Sequence, residues 1–89
     1  MTQSSVSITN ELGLHLRAAA RLVVVANQFN AIVRISANGK TVDGKSLLGI
    51  TSLLAKQGTV ITIMADGDGE KDAVDQISKL VQNGFQTTD

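Results

Sequence analysis

The spacing of apolar residues predicts a β-strand near the start of the chain and three more further on. Val6 and Ile8 alternate with polar residues, which is typical of a strand with one side facing water. The last such stretch has Val60, Thr62 and Met64 on one face and Ile61 and Ile63 on the other, and this mixed polarity favours a central position in the sheet. Asn38-Gly39 predicts a tight hairpin between the second and third strands, because both residues tolerate positive φ. The predicted strands lie at about 3–9, 31–36, 40–43 and 59–65.

Three other segments have the composition or spacing of α-helices. The first contains the β-branched run 23–25, which local propensity disfavours, so burial must stabilise it; alternatively the helix stops near Leu22 and a strand begins. The second is apolar on more than one side, and we expect it to be partly exposed to a partner rather than fully buried. The third is amphipathic, with Gly84 placed to end it and Phe85 to fold back on the core. The predicted helices span 16–27, 47–55 and 70–83.

The resulting order of elements is β-α-β-β-α-β-α. Its first six elements have the order of a split βαβ sheet, which is α+β and covered by helices on one side. A chain of 89 residues can bury one modest core. We therefore expect a single domain over 1–89, with a frayed end from Gln86 to Asp89.

Composition narrows the class of protein further. With no cysteine and one histidine, the chain has no disulfide framework and a zinc site is disfavoured. The acids of the loop at 66–69 lack the remaining ligands of a calcium site, so we expect neither a metal nor a cofactor. The first residues resemble no leader peptide, and the apolar run from Leu22 to Ala26 is too short to cross a bilayer. We expect a cytoplasmic protein without membrane insertion.

Charge is balanced overall but unevenly distributed. Residues 1–64 carry six basic and two acidic side chains, giving +4, and residues 65–89 carry two basic and six acidic side chains, giving −4. This gradient suits docking onto an acidic partner through the basic part of the chain, or it is an ordinary solvated distribution. A net charge of zero and the absence of Trp and Tyr argue against nucleic-acid binding.

The chemistry of the chain centres on its single histidine. His15 follows a loop containing Asn10 and Gly13 and precedes a run of good helix formers, so we expect it in the first turn of a helix. The free N–H groups there favour an anion such as phosphate, and the helix dipole favours a neutral, nucleophilic ring. Arg17 adds a fork of donors for phosphate oxygens, and Arg21 extends the positive surface. The alternative is a histidine that only caps the helix or lies on the surface.

Three motifs together resemble the HPr family, the histidine phosphocarriers of the bacterial phosphoenolpyruvate-dependent phosphotransferase system. They are Gly13-Leu14-His15-x-Arg17, Gly44-Lys45-Ser46-Leu47-Leu48-Gly49 and Lys56-Gln57-Gly58. The resemblance covers nearly the whole chain in the right element order. It implies an open-faced sandwich, in which a four-stranded antiparallel sheet is covered on one side by three helices. The residues at 8–13 and the Asn83-Gly84-Phe85 ending are also similar to the nitrogen-related branch, NPr.

The resemblance implies a phosphoryl carrier with a covalent phosphohistidine intermediate rather than a stand-alone catalyst. His15 would accept the group on Nδ1 from phosphorylated enzyme I and pass it to an enzyme IIA domain, while Arg17 stabilises it. Ser46 resembles the serine that an HPr serine kinase/phosphatase modifies, although an N-cap would explain a serine there equally well. We expect a monomer. The residues expected to dock partners are Leu16, Ala20, Arg21, Leu47, Leu48 and Thr51.

Two positions depart from the family pattern. Leu16 stands where a small residue is usual, which bears on the choice of partner, and Ala18 stands where proline is usual. Without proline, the first helical turn is less rigid by about 0.4 to 1 kcal/mol of unfolded-state entropy.

Other functions fit parts of the sequence. The acceptor could belong to sugar uptake or to a nitrogen-related or regulatory relay. A purely regulatory binding protein would use Ser46 and the apolar helix, but gives no reason for His15 and Arg17. A ligand-binding sheet domain of the ferredoxin-like kind shares the β-α-β-β-α-β order, but gives no reason for a histidine at a helix start.

Overall fold

The computed structural model describes residues 1–85. Within that range the chain forms four strands and three helices in the predicted order. The predicted frayed end, Gln86 to Asp89, lies outside the described residues. The elements are β1 (Thr2–Ser7), α1 (Leu16–Ala26), β2 (Ile32–Ala37), β3 (Lys40–Asp43), α2 (Leu47–Thr51), β4 (Val60–Asp66) and α3 (Glu70–Gln82).

The strands form one antiparallel sheet in the order β1-β4-β2-β3. β4 pairs with β1 on one side and β2 on the other, which confirms its predicted central position. Ile61 and Ile63 of β4 are fully buried, whereas Val60 is 57% exposed, so alternate residues face the core and the open side. The open-faced sandwich expected from the resemblance is confirmed.

The core lies between the inner face of the sheet and the helices. Leu22 of α1, Ile50 of α2 and Ile77 of α3 are each fully buried in it. Burial of one such side chain stabilises the fold by about 1.5 to 3 kcal/mol. Phe85 is 2% exposed, which confirms that the chain after α3 folds back on the core.

α1 runs without interruption to Ala26, so the alternative of a strand after Leu22 is wrong. Leu22 and Ala26 are fully buried, one helical turn apart, and Val23 and Val25 are packed against the core. Tertiary burial therefore outweighs the weak helix propensity of the β-branched run.

α2 is shorter than predicted, because it ends at Thr51 rather than at residue 55. Tighter turn bonds follow it, from the N–H of Leu53 to the oxygen of Ile50 and from that of Leu54 to the oxygen of Thr51. Leu54 has a φ of +54°, which ends helical geometry. The predicted partial exposure is confirmed, since Leu48 is 82% exposed.

Smaller differences concern β1 and the turns. β1 covers Thr2–Ser7 rather than 3–9, although Ile8 still exchanges backbone hydrogen bonds with Gly58 and Thr59. The hairpin is as predicted, with positive φ at Asn38 and Gly39.

No helix within residues 1–85 has both the length and the apolar character needed to cross a membrane.

Candidate functional site

His15 is the N-cap of α1, one residue before the helix rather than inside its first turn as predicted. Its backbone is extended, with φ −72° and ψ 177°, so the side chain can fold over the start of the helix. The ring nitrogen Nδ1 accepts hydrogen bonds from the N–H groups of Arg17 at 3.1 Å and Ala18 at 3.3 Å. The imidazole thus takes the place usually filled by a serine or aspartate side chain.

These two hydrogen bonds indicate which nitrogen of a neutral His15 ring carries the proton. Because the two N–H groups donate to Nδ1 of His15, that atom carries a lone pair and a neutral ring holds its proton on Nε2. A group bonded to Nδ1 would stand at the same end of α1, where backbone N–H groups and the helix dipole favour negative charge. The geometry therefore suits an anionic group attached to Nδ1.

The loop before His15 is held at both of its ends. Asn10 donates from Nδ2 to the carbonyl oxygen of Gly13 at 2.7 Å. Leu14 is 6% exposed and donates its N–H to the carbonyl oxygen of Ala55 at 2.9 Å. His15 itself is only half-buried. Its backbone is thus fixed on the segment after α2, while its ring remains accessible.

Two surface depressions meet at His15. The arginine depression is cationic and brings the histidine together with Arg17, which is exposed, and with Arg21. Arg21 donates from Nη1 to the carbonyl oxygen of Phe85, which ties α1 to the residue after α3. Other predicted residues that line this depression are Leu16, Ala20 and Leu47.

The second depression, here called the leucine hollow, is formed by Leu12, Leu14, Leu16 and Leu54, with His15 and Lys56 at its border. Thr51 also lines it, and its hydroxyl donates to the carbonyl oxygens of α2. Leu12 and Leu54 were not predicted as site residues. Leu12 could have been noticed as an apolar residue in a polar loop, but nothing in the sequence indicates the backbone turn that positions Leu54.

The start of α2 matches the N-cap prediction for Ser46. The Ser46 Oγ accepts a hydrogen bond from the N–H of Gly49 at 3.0 Å. A Cβ on Gly49 would lie 3.2 Å from that Oγ, so the glycine leaves room for the cap. Ser46 and the exposed Leu48 lie outside both depressions, on the part of the surface next to Leu47.

A strongly shifted pKa is found at Glu70, which lies at the opposite end of β1 from His15. Hydrogen bonds from Thr2, from the N-terminal ammonium group and from the N–H of Gly67 lower the pKa of Glu70 from 4.5 to about 2. Glu70 in turn raises the pKa of the Met1 amine above 8.0. This cluster joins the start of β1 to the start of α3 and serves the fold.

The fold and a family match together define the class of protein. Residues 2–83 match the family model PTS-HPr, described as the PTS HPr component phosphorylation site. The class is that of the small phosphocarrier proteins.

Individual relatives agree with this class. The phosphocarrier protein HPr of Cupriavidus necator is 41% identical over 85 residues, covering 96% of this chain and 96% of the relative. That of Xylella fastidiosa is 40% identical over 85 residues, with the same coverage of both chains. The crystal structure of HPr-C-His from Thermoanaerobacter tengcongensis has a TM-score of 0.91 at 35% identity and covers 96% of each chain. This chain belongs to the HPr family, which confirms the resemblance.

Proposed function

We propose that Nδ1 of His15 accepts a phosphoryl group from phosphorylated enzyme I and passes it to an enzyme IIA domain of the sugar phosphotransferase system. The observation that carries this proposal is the orientation of Nδ1 toward the N–H groups of Arg17 and Ala18. The Nδ1 lone pair forms the new N–P bond while the bond from phosphorus to the donor breaks, and its electron pair returns to the donor. Because the ring proton is on Nε2, no proton has to leave Nδ1 first.

Arg17 is proposed to stabilise the transferred group. Its side chain is exposed and lines the arginine depression together with His15. A guanidinium can hold two phosphoryl oxygens at once and so complements the charge that they carry during transfer. We assign it the role of a clamp rather than of an acid or base, since a guanidinium stays protonated at neutral pH.

The partners are proposed to dock on the surface around His15. Leu16 is 65% exposed, and Leu48 of α2 is 82% exposed on the neighbouring element. Leu16 and Leu47 line the arginine depression together with Arg17 and Arg21, which fits a partner surface with an apolar centre and an acidic border. The proposed docking surface consists of Leu16, Ala20, Arg21, Leu47, Leu48 and Thr51.

Ser46 is proposed as a regulatory phosphorylation site for an HPr serine kinase/phosphatase. A phosphate there would stand at the N-terminus of α2, which its charge favours, and beside Leu47. It would repel an acidic partner from the docking surface. This role is compatible with the capping bond to Gly49, which the unmodified hydroxyl supplies.

Phosphoryl transfer in a purified system tests the proposal. The protein, enzyme I and labelled phosphoenolpyruvate should give one acid-labile phosphoryl group per chain, and His15→Ala should remain unlabelled. Arg17→Ala should slow labelling with unchanged stability, whereas Arg34→Ala, an exposed arginine of β2, should label normally. Labelling of His15→Ala would overturn the site, and an unchanged rate in Arg17→Ala would remove the clamp.

A second measurement distinguishes the acceptors. The phosphorylated protein is mixed with a sugar-specific enzyme IIA and, separately, with a nitrogen-related one. We expect faster transfer to the sugar-specific acceptor; the reverse would favour the nitrogen-related or regulatory relay. We further propose that the protein acts as a cytoplasmic monomer, which sedimentation and cell fractionation can test.

A further inference from the structure

The peptide group that joins Gly13 to Leu14 is held at both of its ends. Its carbonyl oxygen, on Gly13, accepts a hydrogen bond from Nδ2 of Asn10 at 2.7 Å. Its N–H, on Leu14, donates to the carbonyl oxygen of Ala55 at 2.9 Å. Because a peptide group is planar, hydrogen bonds at its two opposite edges fix its orientation. The direction in which the chain reaches His15, the cap of α1, therefore depends on both bonds.

Few backbone rotations separate that peptide group from the imidazole. Leu14 cannot reorient freely, since its side chain is buried in the core. His15 has the extended backbone that directs its ring over the start of α1. A rotation of the peptide group before Leu14 would therefore move the ring away from the N–H groups of Arg17 and Ala18, to which Nδ1 is hydrogen-bonded.

Asn10 is itself held in place, so its side-chain amide is a fixed support. Its carbonyl oxygen accepts the N–H of Gly13 at 3.1 Å, which closes a tight turn. Gln57 donates from Nε2 to the oxygen of Thr9 at 3.0 Å, and a Cβ on Gly84 would lie 3.6 Å from the Cβ of Asn10. The segment before β4 and the residues after α3 thus hold this turn from two sides.

The stability of the fold alone does not explain the side chain of Asn10. Its Oδ1 is shielded from solvent, and within residues 1–85 it accepts no hydrogen bond. A buried oxygen without a partner costs at least as much as one neutral hydrogen bond contributes, so the bond from Nδ2 to Gly13 brings little net stability. The contribution of Asn10 is instead the orientation of the Gly13 carbonyl group.

We propose that Asn10 is a positioning residue for phosphoryl transfer, which orients the peptide group between Gly13 and Leu14 and, through it, Nδ1 of His15. This inference rests on the proposed function of His15. Transfer requires Nδ1 to approach the phosphorus of the donor to about 3 to 3.5 Å in the right direction, so a small displacement of the ring slows the reaction strongly. Asn10 acts through the backbone and takes no part in bond making.

Single-turnover transfer from phosphorylated enzyme I to increasing concentrations of the full chain tests the inference, because it gives a maximal rate and a half-saturating concentration separately. Asn10→Ala removes the donor, and Asn10→Asp keeps the shape but turns a carboxylate toward the Gly13 oxygen. We expect the maximal rate to fall about tenfold in Asn10→Ala and at least as far in Asn10→Asp. The half-saturating concentration should change less than about twofold, because the docking surface is untouched. The Tm of Asn10→Ala should change by less than about 8 °C.

Asn27→Ala is the matched control. Asn27 donates from Nδ2 to the carbonyl oxygen of Val23 at 2.9 Å, at the other end of α1. The variant loses the same kind of hydrogen bond, but its maximal rate should equal that of the unchanged protein.

The ¹⁵N NMR shifts of the His15 ring report its orientation without enzyme I. In the unchanged protein and in Asn27→Ala they should show a neutral ring protonated on Nε2, since Nδ1 accepts two N–H groups. In Asn10→Ala we expect a mixture of the two tautomers, because the ring no longer stays on those N–H groups.

Maximal rates within twofold of the original in both Asn10 variants would overturn the inference, as would a single Nε2-protonated tautomer in Asn10→Ala. So would a rise in the half-saturating concentration alone, which would assign Asn10 to docking, or an equal loss of rate in Asn27→Ala, which would assign the effect to α1 as a whole. Failure of the unchanged protein to label at His15 would overturn the proposed function, while the tautomers would still decide whether Asn10 orients the ring.

Discussion

Gly13 lies against the carbonyl oxygen of Ala55 so closely that a Cβ on Gly13 would stand 2.6 Å from that oxygen. The next residue, Leu14, donates its N–H to the same oxygen at 2.9 Å. Gly13 also has a φ of +66°, which disfavours any residue with a side chain. The carbonyl group of Ala55, in the segment after α2, therefore fixes the position of the loop that carries His15.

Gly13→Ala should destabilise the protein and displace His15. The clash with backbone cannot be relieved by rotating a side chain, and the positive φ adds strain, so we expect a loss of about 2 to 4 kcal/mol in the free energy of unfolding. Urea denaturation measures this loss. Charging of His15 by enzyme I should slow at a temperature where the variant is still folded, because the ring moves with its loop.

Gly39→Ala measures the cost of backbone strain at a positive φ without the close contact that also affects Gly13→Ala. Gly39 has a φ of +78°, but nothing lies within 4 Å of an added Cβ. Only strain remains, so the loss should be about 1 kcal/mol and charging should be normal. Equal losses in the two variants would mean that the contact between Gly13 and Ala55 does not hold the loop.

Ser46→Ala should cost about 1 kcal/mol, because the N–H of Gly49 loses its acceptor. Ser46→Asp keeps an oxygen at the same place and adds a charge that suits a helix N-terminus, so its stability should stay within about 0.5 kcal/mol of the original. Thermal denaturation of both variants measures the difference. A Ser46→Ala protein as stable as the original would show that the cap contributes nothing, leaving regulation as the reason for the serine.

Much of the fold could be predicted from local patterns. The mixed polarity of the two faces of β4, with Ile61 and Ile63 on one of them, predicted its central position, and β4 pairs with β1 on one side and β2 on the other. The Asn38-Gly39 pair predicted the hairpin between β2 and β3, because both residues tolerate the positive φ that the turn requires. The end of α2 could not be predicted, because Leu53 and Leu54 are good helix formers. Tertiary hydrogen bonds around them, rather than propensity, end the helix.

The candidate site was predicted in composition but not in geometry. A histidine at a helix start, followed by Arg17, indicates phosphate chemistry from residue types alone. That His15 is the cap itself, with Nδ1 on the amides, depends on its extended backbone, which the sequence does not encode locally. The leucine hollow depends on contacts between segments distant in sequence, at Leu12 and Leu54, and so is visible only in the folded chain.

Ala18→Pro tests how much the second N–H donor to Nδ1 matters. Proline removes the 3.3 Å hydrogen bond from Ala18 to His15, and it also reduces the entropy of the unfolded chain. These effects oppose each other, so we expect the free energy of unfolding to change by less than about 1 kcal/mol. The Arg17 N–H remains at 3.1 Å, so charging should stay within about twofold of the original rate. A tenfold loss of rate would assign the Ala18 N–H an essential role.

Ala19→Pro is the control for that substitution. The N–H of Ala19 donates to the carbonyl oxygen of His15 at 2.9 Å, which is the first bond inside α1, and Ala19 is fully buried. Proline there removes the bond and crowds the preceding turn, so we expect a loss of about 3 kcal/mol. Thermal denaturation compares the two variants directly.

Glu70 should make stability depend on pH at both acid and alkaline extremes. Its pKa is lowered from 4.5 to about 2, chiefly by the hydroxyl of Thr2, so its contribution is present above pH 4.5 and is lost as pH falls toward 2. The Met1 amine, at 3.1 Å from Glu70, has its pKa raised above 8.0. That contribution is present below pH 8.0 and is lost as pH rises through the raised pKa.

Glu70→Gln should flatten both limbs of the pH profile, because the amide neither titrates nor attracts the ammonium group. The midpoint of urea denaturation, measured from pH 2 to pH 10, reports this change. Asp75→Asn is the matched control: Asp75 pairs with Lys79 at 3.1 Å, but both side chains are more than half exposed. Solvent screens such a pair, so this variant should keep the original profile. Acid and alkaline limbs as steep in Glu70→Gln as in the original would mean that other groups govern the titration.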